Sequence, residues 1–318
     1  MKVRDILHSR LVFVSGKGGV GKTCVSAALG KSAAQSGKKV LLVEVDNFHA
    51  SFPSIFDCSI DYEPRELEPS LYGCNITWMK ALEDWLVNTI RIRTIVQLIL
   101  KNRVAMLFLN ATPGAREIVI LSKIADLLEN YDQVIVDLPA SGHALGILRV
   151  PGTAMQLMRS GPIYERAKQI LQVFSNPKAM VLVCALPEEM VVNETVEFAE
   201  KIRRDVPQFQ TLGVLLNRVS VPSFNQDETT LLNRLSEVTT TNREDDEHDV
   251  QNVVEAAVWE QELEHASLRA IERLNAELGY PVLNLPKLGL LGGFGGGTPK
   301  VVQQMTTIFS RKYRTEQP

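Results

Sequence analysis

A chain of 318 residues, 45% hydrophobic and 22% charged, has the composition of an ordinary globular protein and the length for one large α/β domain. Its net charge of −3 and the lack of a basic cluster interleaved with aromatic residues argue against nucleic acid as a partner. Charges within the first ten residues, and Arg93, Lys101 and Arg103 within the apolar window 92–109, leave no secretory leader or bilayer span to expect, so a cytoplasmic setting is predicted.

The first informative stretch is RLVFVSGKGGVGKT at 10–23. Its apolar start predicts a strand. The glycine-rich turn that follows ends in Lys22 and Thr23, the spacing of a phosphate-binding loop between a strand and a helix. Gly16, Gly18, Gly19 and Gly21 let the backbone curl so that its N–H groups, with those of Lys17, Val20 and Cys24, converge on phosphate oxygens. A helix predicted over 22–36 and ended by Gly37 aims its positive end at the same anion. Lys22 would lie between the β- and γ-phosphates, and the Thr23 hydroxyl would join a Mg²⁺ shell. Lys17 is a second lysine that a plain phosphate loop does not need, and by itself it reads as a solvated surface side chain.

Lys39 to Val45, KVLLVEV, is an apolar run with one glutamate that completes a strand, helix, strand unit of a parallel sheet. Asp46 then stands at the carboxyl end of its strand, where open α/β sheets place their chemistry. A turn-initiating aspartate is the other reading. Residues 57–74 read as a polar loop and 75–81 as a short strand. Residues 82–109 read as helical, with apolar side chains over too wide an arc for a surface helix. That width fits either a helix buried in the fold or an apolar face that holds a client. Thr112 and Pro113 predict a helix start, continued by the stripe Ile118, Leu121, Ile124, Ala125 and Leu128.

A strand within YDQVIVDLPASGHALGILRVPG, 131–152, delivers Asp137 to the same sheet edge, where it would hold Mg²⁺ through water. Five residues on, Gly142 can bring a bare N–H against a γ-phosphate. One or two helices within 153–176, a strand at 179–186, a helix start at 187–195 and a strand at 212–219 follow. Polar composition over 225–250, with the acidic run NREDDEHD at 242–249, reads as a flexible solvated segment. A helix from 252 to 278 should stop at Gly279, a last strand should lie within 280–288, and 289–297 reads as a glycine-rich loop. Residues 299–312 set Val301, Val302, Met305, Ile308 and Phe309 on one side, predicting either docking onto the core or a membrane-surface helix.

With Lys17 included, GKGGVGKT resembles the deviant loop of the group that holds MinD, ParA, nitrogenase iron protein and the arsenite-pump ATPases. Asp46 and His49 resemble the first switch of the arsenite-pump and tail-anchored-protein-targeting ATPases. Asp137, Gly142, His143, Leu145 and Pro151 resemble their second switch, and PEEMVVNET at 187–195 resembles one of their helix starts. The resemblance spans about 10–310 and implies a P-loop α/β fold, mostly parallel, with helices on both faces and a small helical subdomain. The chain is then one domain, 1–318, with helical insertions near 82–130 and 153–176.

The resemblance also implies ATP hydrolysis with Mg²⁺. Asp46 would position the attacking water and border the metal, Lys17 would reach a partner's nucleotide across a dimer, Asn217 would bond the adenine, and Pro286 would lie in the loop that covers it. With one phosphate loop per chain, the expected partner is a second copy or a related ATPase, with a protein or anionic client. A MinD-like positioning ATPase and a subunit dependent on a paralogue are the alternatives.

Three departures stand out. Asn47 and Phe48 replace the usual Pro-Ala of the first switch. Cys24, Cys58, Cys74 and Cys184 form no Cys-x-x-Cys pair and no metalloid set, so no zinc is expected. The stretch between Pro151 and the strand at 179 is short for a client-binding insertion.

Overall fold

The computed structural model describes residues 2–46, 50–239, 248–279, 282–288 and 297–316, with the backbone alone at 108, 236–239 and 248–251. Eight strands form one sheet: β1 (Leu11–Gly16), β2 (Val40–Val45), β3 (Arg65–Glu68), β4 (Leu71–Ile76), β5 (Gln133–Asp137), β6 (Ala179–Ala185), β7 (Thr211–Val219) and β8 (Leu283–Pro286). Their order is β3-β4-β2-β5-β1-β6-β7-β8, parallel throughout except for the antiparallel β3/β4 pair. The unbroken apolar runs of β1 and β6 are buried along their whole length, as strands covered on both faces must be.

Among the described residues seven helices precede the strand that carries Asp137: α1 (Val3–His8), α2 (Lys22–Gln35), α3 (Phe52–Phe56), α4 (Trp78–Ile90), α5 (Arg93–Lys101), α6 (Arg103–Ala111) and α7 (Ala115–Leu127). After it come α8 (Ser141–Leu157), α9 (Pro162–Phe174), α10 (Glu189–Asp205), α11 (Gln226–Thr239), α12 (His248–Leu278) and α13 (Thr298–Thr315). From β1 the chain crosses through α2 to β2 on one side of β5, and from β5 it returns through α8 and α9 to β6 on the other side of β1. The loop after β1 therefore opens at a crevice above the carboxyl ends of the strands. Gly30 lets α2 lie close on the sheet, since a Cβ there would fall 2.7 Å from Leu42 Cδ2.

The C-terminal segment docks. Val302, Met305, Thr306 and Phe309 of α13 are buried, the hydroxyls of Ser32 on α2 and Ser310 lie 3.1 Å apart, and Lys312 Nζ donates to the Asn284 carbonyl at 3.0 Å. The apolar side that suited a membrane surface is thus covered by the protein itself. No single helix among the described residues is long and apolar enough to cross a membrane. The pair α6 and α7 reaches the required length only with an 86° bend, and most of α7 is buried.

Several expected elements differ. Residues 57–74 are not all loop: the hairpin β3/β4 lies inside them, and β4 runs to Ile76 so that α4 begins at Trp78, where a strand was expected. The polar, half-exposed sequence of β3 hid an edge strand. The expected helical stretch 82–109 is three helices, broken at Arg91 (φ +60°) and at Asn102, whose Oδ1 caps α6 by accepting from Val104 and Ala105 at 3.0 Å each. Of its apolar residues Leu82, Leu86 and Val96 are buried, while Ile92, Ile95, Leu98, Val104 and Leu107 are exposed.

The segment 225–250 is helical over α11. Asn225 Oδ1 accepts from Asp227 and Glu228, and Glu228 Oε2 accepts from the Asn225 N–H at 2.8 Å, a capping box that the polar composition masked. Residues 240–247, with most of the acidic run, and the glycine-rich 289–296 lie outside the described residues. The helix expected after residue 152 already begins at Ser141 and carries Pro151 in its interior.

Candidate functional site

The loop after β1 is shaped by close backbone approaches. At Gly16 (φ +144°) a Cβ would stand 2.2 Å from the Cys184 carbonyl oxygen of β6, and at Gly21 (φ +93°) one would stand 2.7 Å from Asn217 Nδ2. Asn217 is buried at the end of β7. Its Nδ2 donates to the Val20 carbonyl at 2.9 Å, and its Oδ1 accepts from the Arg218 N–H. Asn217 thus braces the loop from the end of β7. Pro286, at the end of β8, pairs in register with Val219, on the same sheet edge as Asn217.

Past Gly21 the first turn of α2 carries the polar groups. Lys22 Nζ donates to the Lys17 carbonyl at 3.1 Å, so the ammonium folds back over the loop. Thr23 Oγ1 donates to Asp137 Oδ2 at 2.6 Å, and Ser26 Oγ reaches Oδ1 at 3.4 Å. Burial pushes the Asp137 carboxyl up to about 6, against the opposing pull of Thr23, Lys22 and Ser26. Cys24, beside them, has its thiol raised by burial and by Asp137.

Within its own chain Lys17 is held by an ion pair. Its Nζ pairs with Glu194 Oε1 at 2.7 Å, with both side chains more than a third exposed. Glu194 belongs to the 187–195 stretch. Asp46 (φ +48°) is exposed, and its Oδ1 lies 3.4 Å from the Trp78 N–H at the start of α4. Its own N–H donates to the Ile76 carbonyl at 2.8 Å. Asn47, Phe48 and His49, the rest of the first switch, lie outside the described residues. Gly142 and His143 are exposed in the first turn of α8, where the His143 N–H donates to the Ala140 carbonyl at 2.9 Å, and a Cβ on Gly142 would meet nothing within 4 Å. Ser15 Oγ donates to the Pro139 carbonyl at 3.2 Å, tying β1 to the chain between Asp137 and Gly142.

Two groups at the site were not expected. Ser26 lies one turn after Thr23 on the same helix face, a spacing that could have pointed to it. Glu44 is the lone charge of the β2 run and pairs in register with Asp137 of β5. Its Oε1 accepts from the Ser51 N–H at 2.7 Å and the Phe52 N–H at 3.2 Å, while the enclosed Oε2 has no partner. Burial pushes its carboxyl up to about 7.

A glycine-rich loop with left-handed backbone at Gly19 and Gly21, an ammonium and a helix start suit a polyphosphate. Among the described residues no three His, Cys, Asp or Glu side chains gather to hold a metal. A metal here would therefore rest on Thr23, the nearby acids and the phosphate oxygens. Away from this site, α4, α7 and α8 enclose an apolar cleft of about 600 Å³, lined by Trp85, Ile118, Val150 and Met158 among others. Ile92, Ile95, Leu98, Val104 and Leu107 lie exposed beside it on and around α5 and α6.

Residues 9–210 match the family model described as anion-transporting ATPase. ATPase BagA of Mycobacterium tuberculosis is 25% identical over 207 residues, 61% of each chain. The putative arsenical pump-driving ATPase 2 of Aquifex aeolicus is 33% identical over 147 residues, 44% of this chain and 48% of that one. The ATPase ASNA1 homolog of Entamoeba dispar is 30% identical over 156 residues, 46% of this chain and 47% of that one. The match with the mycobacterial relative thus spans about three fifths of that protein's length.

Proposed function

From the anion-transporting ATPase family, to which this chain belongs, we propose that it binds ATP in the loop between β1 and α2 and hydrolyses it to ADP and phosphate. The observation that carries this reading is the convergence of Lys22, Thr23 and Asp137 at the start of α2, the last two joined at 2.6 Å. The loop N–H groups and Lys22 hold the β- and γ-phosphates, and Gly142 offers its N–H to the γ-phosphate. Asp46 orients the attacking water. Asn217, with the Pro286 segment beside it, faces the base.

The residues also fit Mg²⁺, because Thr23 presents a hydroxyl, Asp137 a buried carboxylate, and Glu44 a buried oxygen without a partner. When bound, the ion neutralises charge on the β- and γ-phosphate oxygens. Lys22 adds to that neutralisation from the loop. Lys17 joins it from a partner subunit after leaving Glu194, which makes the active form a dimer of two copies or of this chain with a related ATPase. The apolar cleft and the exposed face of α5 and α6 fit a protein client with an apolar segment better than an inorganic anion, since the lining supplies few polar groups.

The reading is tested by calorimetry with Mg·ATP and by phosphate release. Wild type should bind and turn over, and Lys22→Ala should lose binding. Asp46→Asn should bind normally and release phosphate at least 100-fold more slowly. No heat from wild type would remove the proposal.

A further inference from the structure

One charged group at the site has no evident task. Glu44 is 1% exposed in a strand where an apolar residue would serve the packing better, and among the described residues no cation bonds to it. Buried carboxylates persist where something compensates their charge. Among the described residues its bonds run from two backbone N–H groups, both to Oε1, a task that a neutral amide oxygen would perform. Oε2 is enclosed and accepts nothing.

The position of Glu44 indicates what Oε2 is for. Parallel register sets it opposite Asp137, so the two side chains leave neighbouring strands on one face of the sheet, the face where Thr23 and Ser26 meet Asp137. Through Oε1, Glu44 also grips Ser51 and Phe52, just beyond the stretch that Asp46 begins. We propose that Glu44 is a positioning residue of the nucleotide site: Oε2 accepts from a water of the Mg²⁺ shell held by Thr23 and Asp137, while Oε1 keeps the 51–52 backbone. One carboxylate then links metal occupancy to the placement of the segment that carries Asp46. This rests on the ATPase reading above.

The test uses the full chain and the fluorescent nucleotide methylanthraniloyl-ADP, titrated with Mg²⁺ from a metal-free start. Removal of an outer-shell partner of a metal weakens metal affinity by about 10–100-fold. Glu44→Gln should therefore keep the metal-free nucleotide affinity of wild type and raise the Mg²⁺ concentration for half-maximal tightening by at least about tenfold. Its melting temperature without metal should be equal or higher, because a buried charge is gone. Glu44→Asp, which keeps the charge, should recover part of the shift in Mg²⁺ dependence.

A merely structural role predicts the opposite pattern, a lower melting temperature with an unchanged Mg²⁺ midpoint in both variants, and that result overturns the proposal. Failure of wild type to bind the nucleotide at all would overturn the ATPase reading and this inference with it. Wild-type binding with unshifted variants would overturn this inference alone.

Discussion

Asp137 holds charge where the fold disfavours it. Burial raises its carboxyl from the ordinary 3.8 to about 6, so the folded chain binds a proton more tightly than the unfolded chain does. The stability this gives is fully present below pH 3.8 and is lost as pH rises through about 6. Asp137→Asn removes the charge at every pH. In metal-free, nucleotide-free buffer the variant should melt with wild type near pH 4, and above it by a margin that grows up to pH 7 and then levels off. A margin independent of pH would show that the carboxyl is not raised. Gly16 makes the opposite demand, because its φ of +144° and the 2.2 Å approach to the Cys184 carbonyl leave no space for a methyl group. Gly16→Ala should destabilise by more than about 3 kcal/mol in urea unfolding, as strained and overpacked sites do.

At the scale of elements, the docking of α13 on α2 gives a direct test. Phe309 is fully buried there, and Phe309→Ala should cost about 3–5 kcal/mol. A cost under about 1 kcal/mol would mean that α13 does not pack on the core in solution. This helix was legible because its apolar stripe had one period and a single face to cover. The central strands were legible for a related reason: β1, β2, β5, β6 and β7 each hold a short apolar run of the kind that a covered parallel sheet accommodates. β3 was not, since an edge strand answers to solvent on one side and RELE carries no apolar alternation. Nor were the breaks at Arg91 and Asn102, which depend on one left-handed residue and one side-chain cap inside an apolar run. At the site, Lys22, Thr23 and Asp137 came from local spacing and strand ends. The tie between Asn217 and Val20, and the meeting of Glu44 with residues 51–52, are products of register and chain path that no local pattern encodes.

For the molecule as a whole, the issue is what holds Lys17 before any partner arrives. Its bond to Glu194 is a partly exposed ion pair, a class worth about 0–1 kcal/mol, weak enough to be exchanged for a phosphate and strong enough to bias the exchange. If the active form is a dimer in which Lys17 crosses the interface, each subunit breaks this pair on assembly. Glu194→Ala removes that opposing term, so in Mg·ATP, on an Asp46→Asn background chosen to slow turnover under the proposed role of Asp46, the dimer dissociation constant should fall by about two- to tenfold, about 0.4–1.4 kcal/mol. Lys17→Ala should abolish the difference between ATP and ADP in sedimentation velocity, whereas Glu194→Ala should preserve it. A weaker dimer from Glu194→Ala would instead place Glu194 in the interface itself. Unchanged assembly in both variants would mean that Lys17 stays with its own chain and that any dimer forms through another surface.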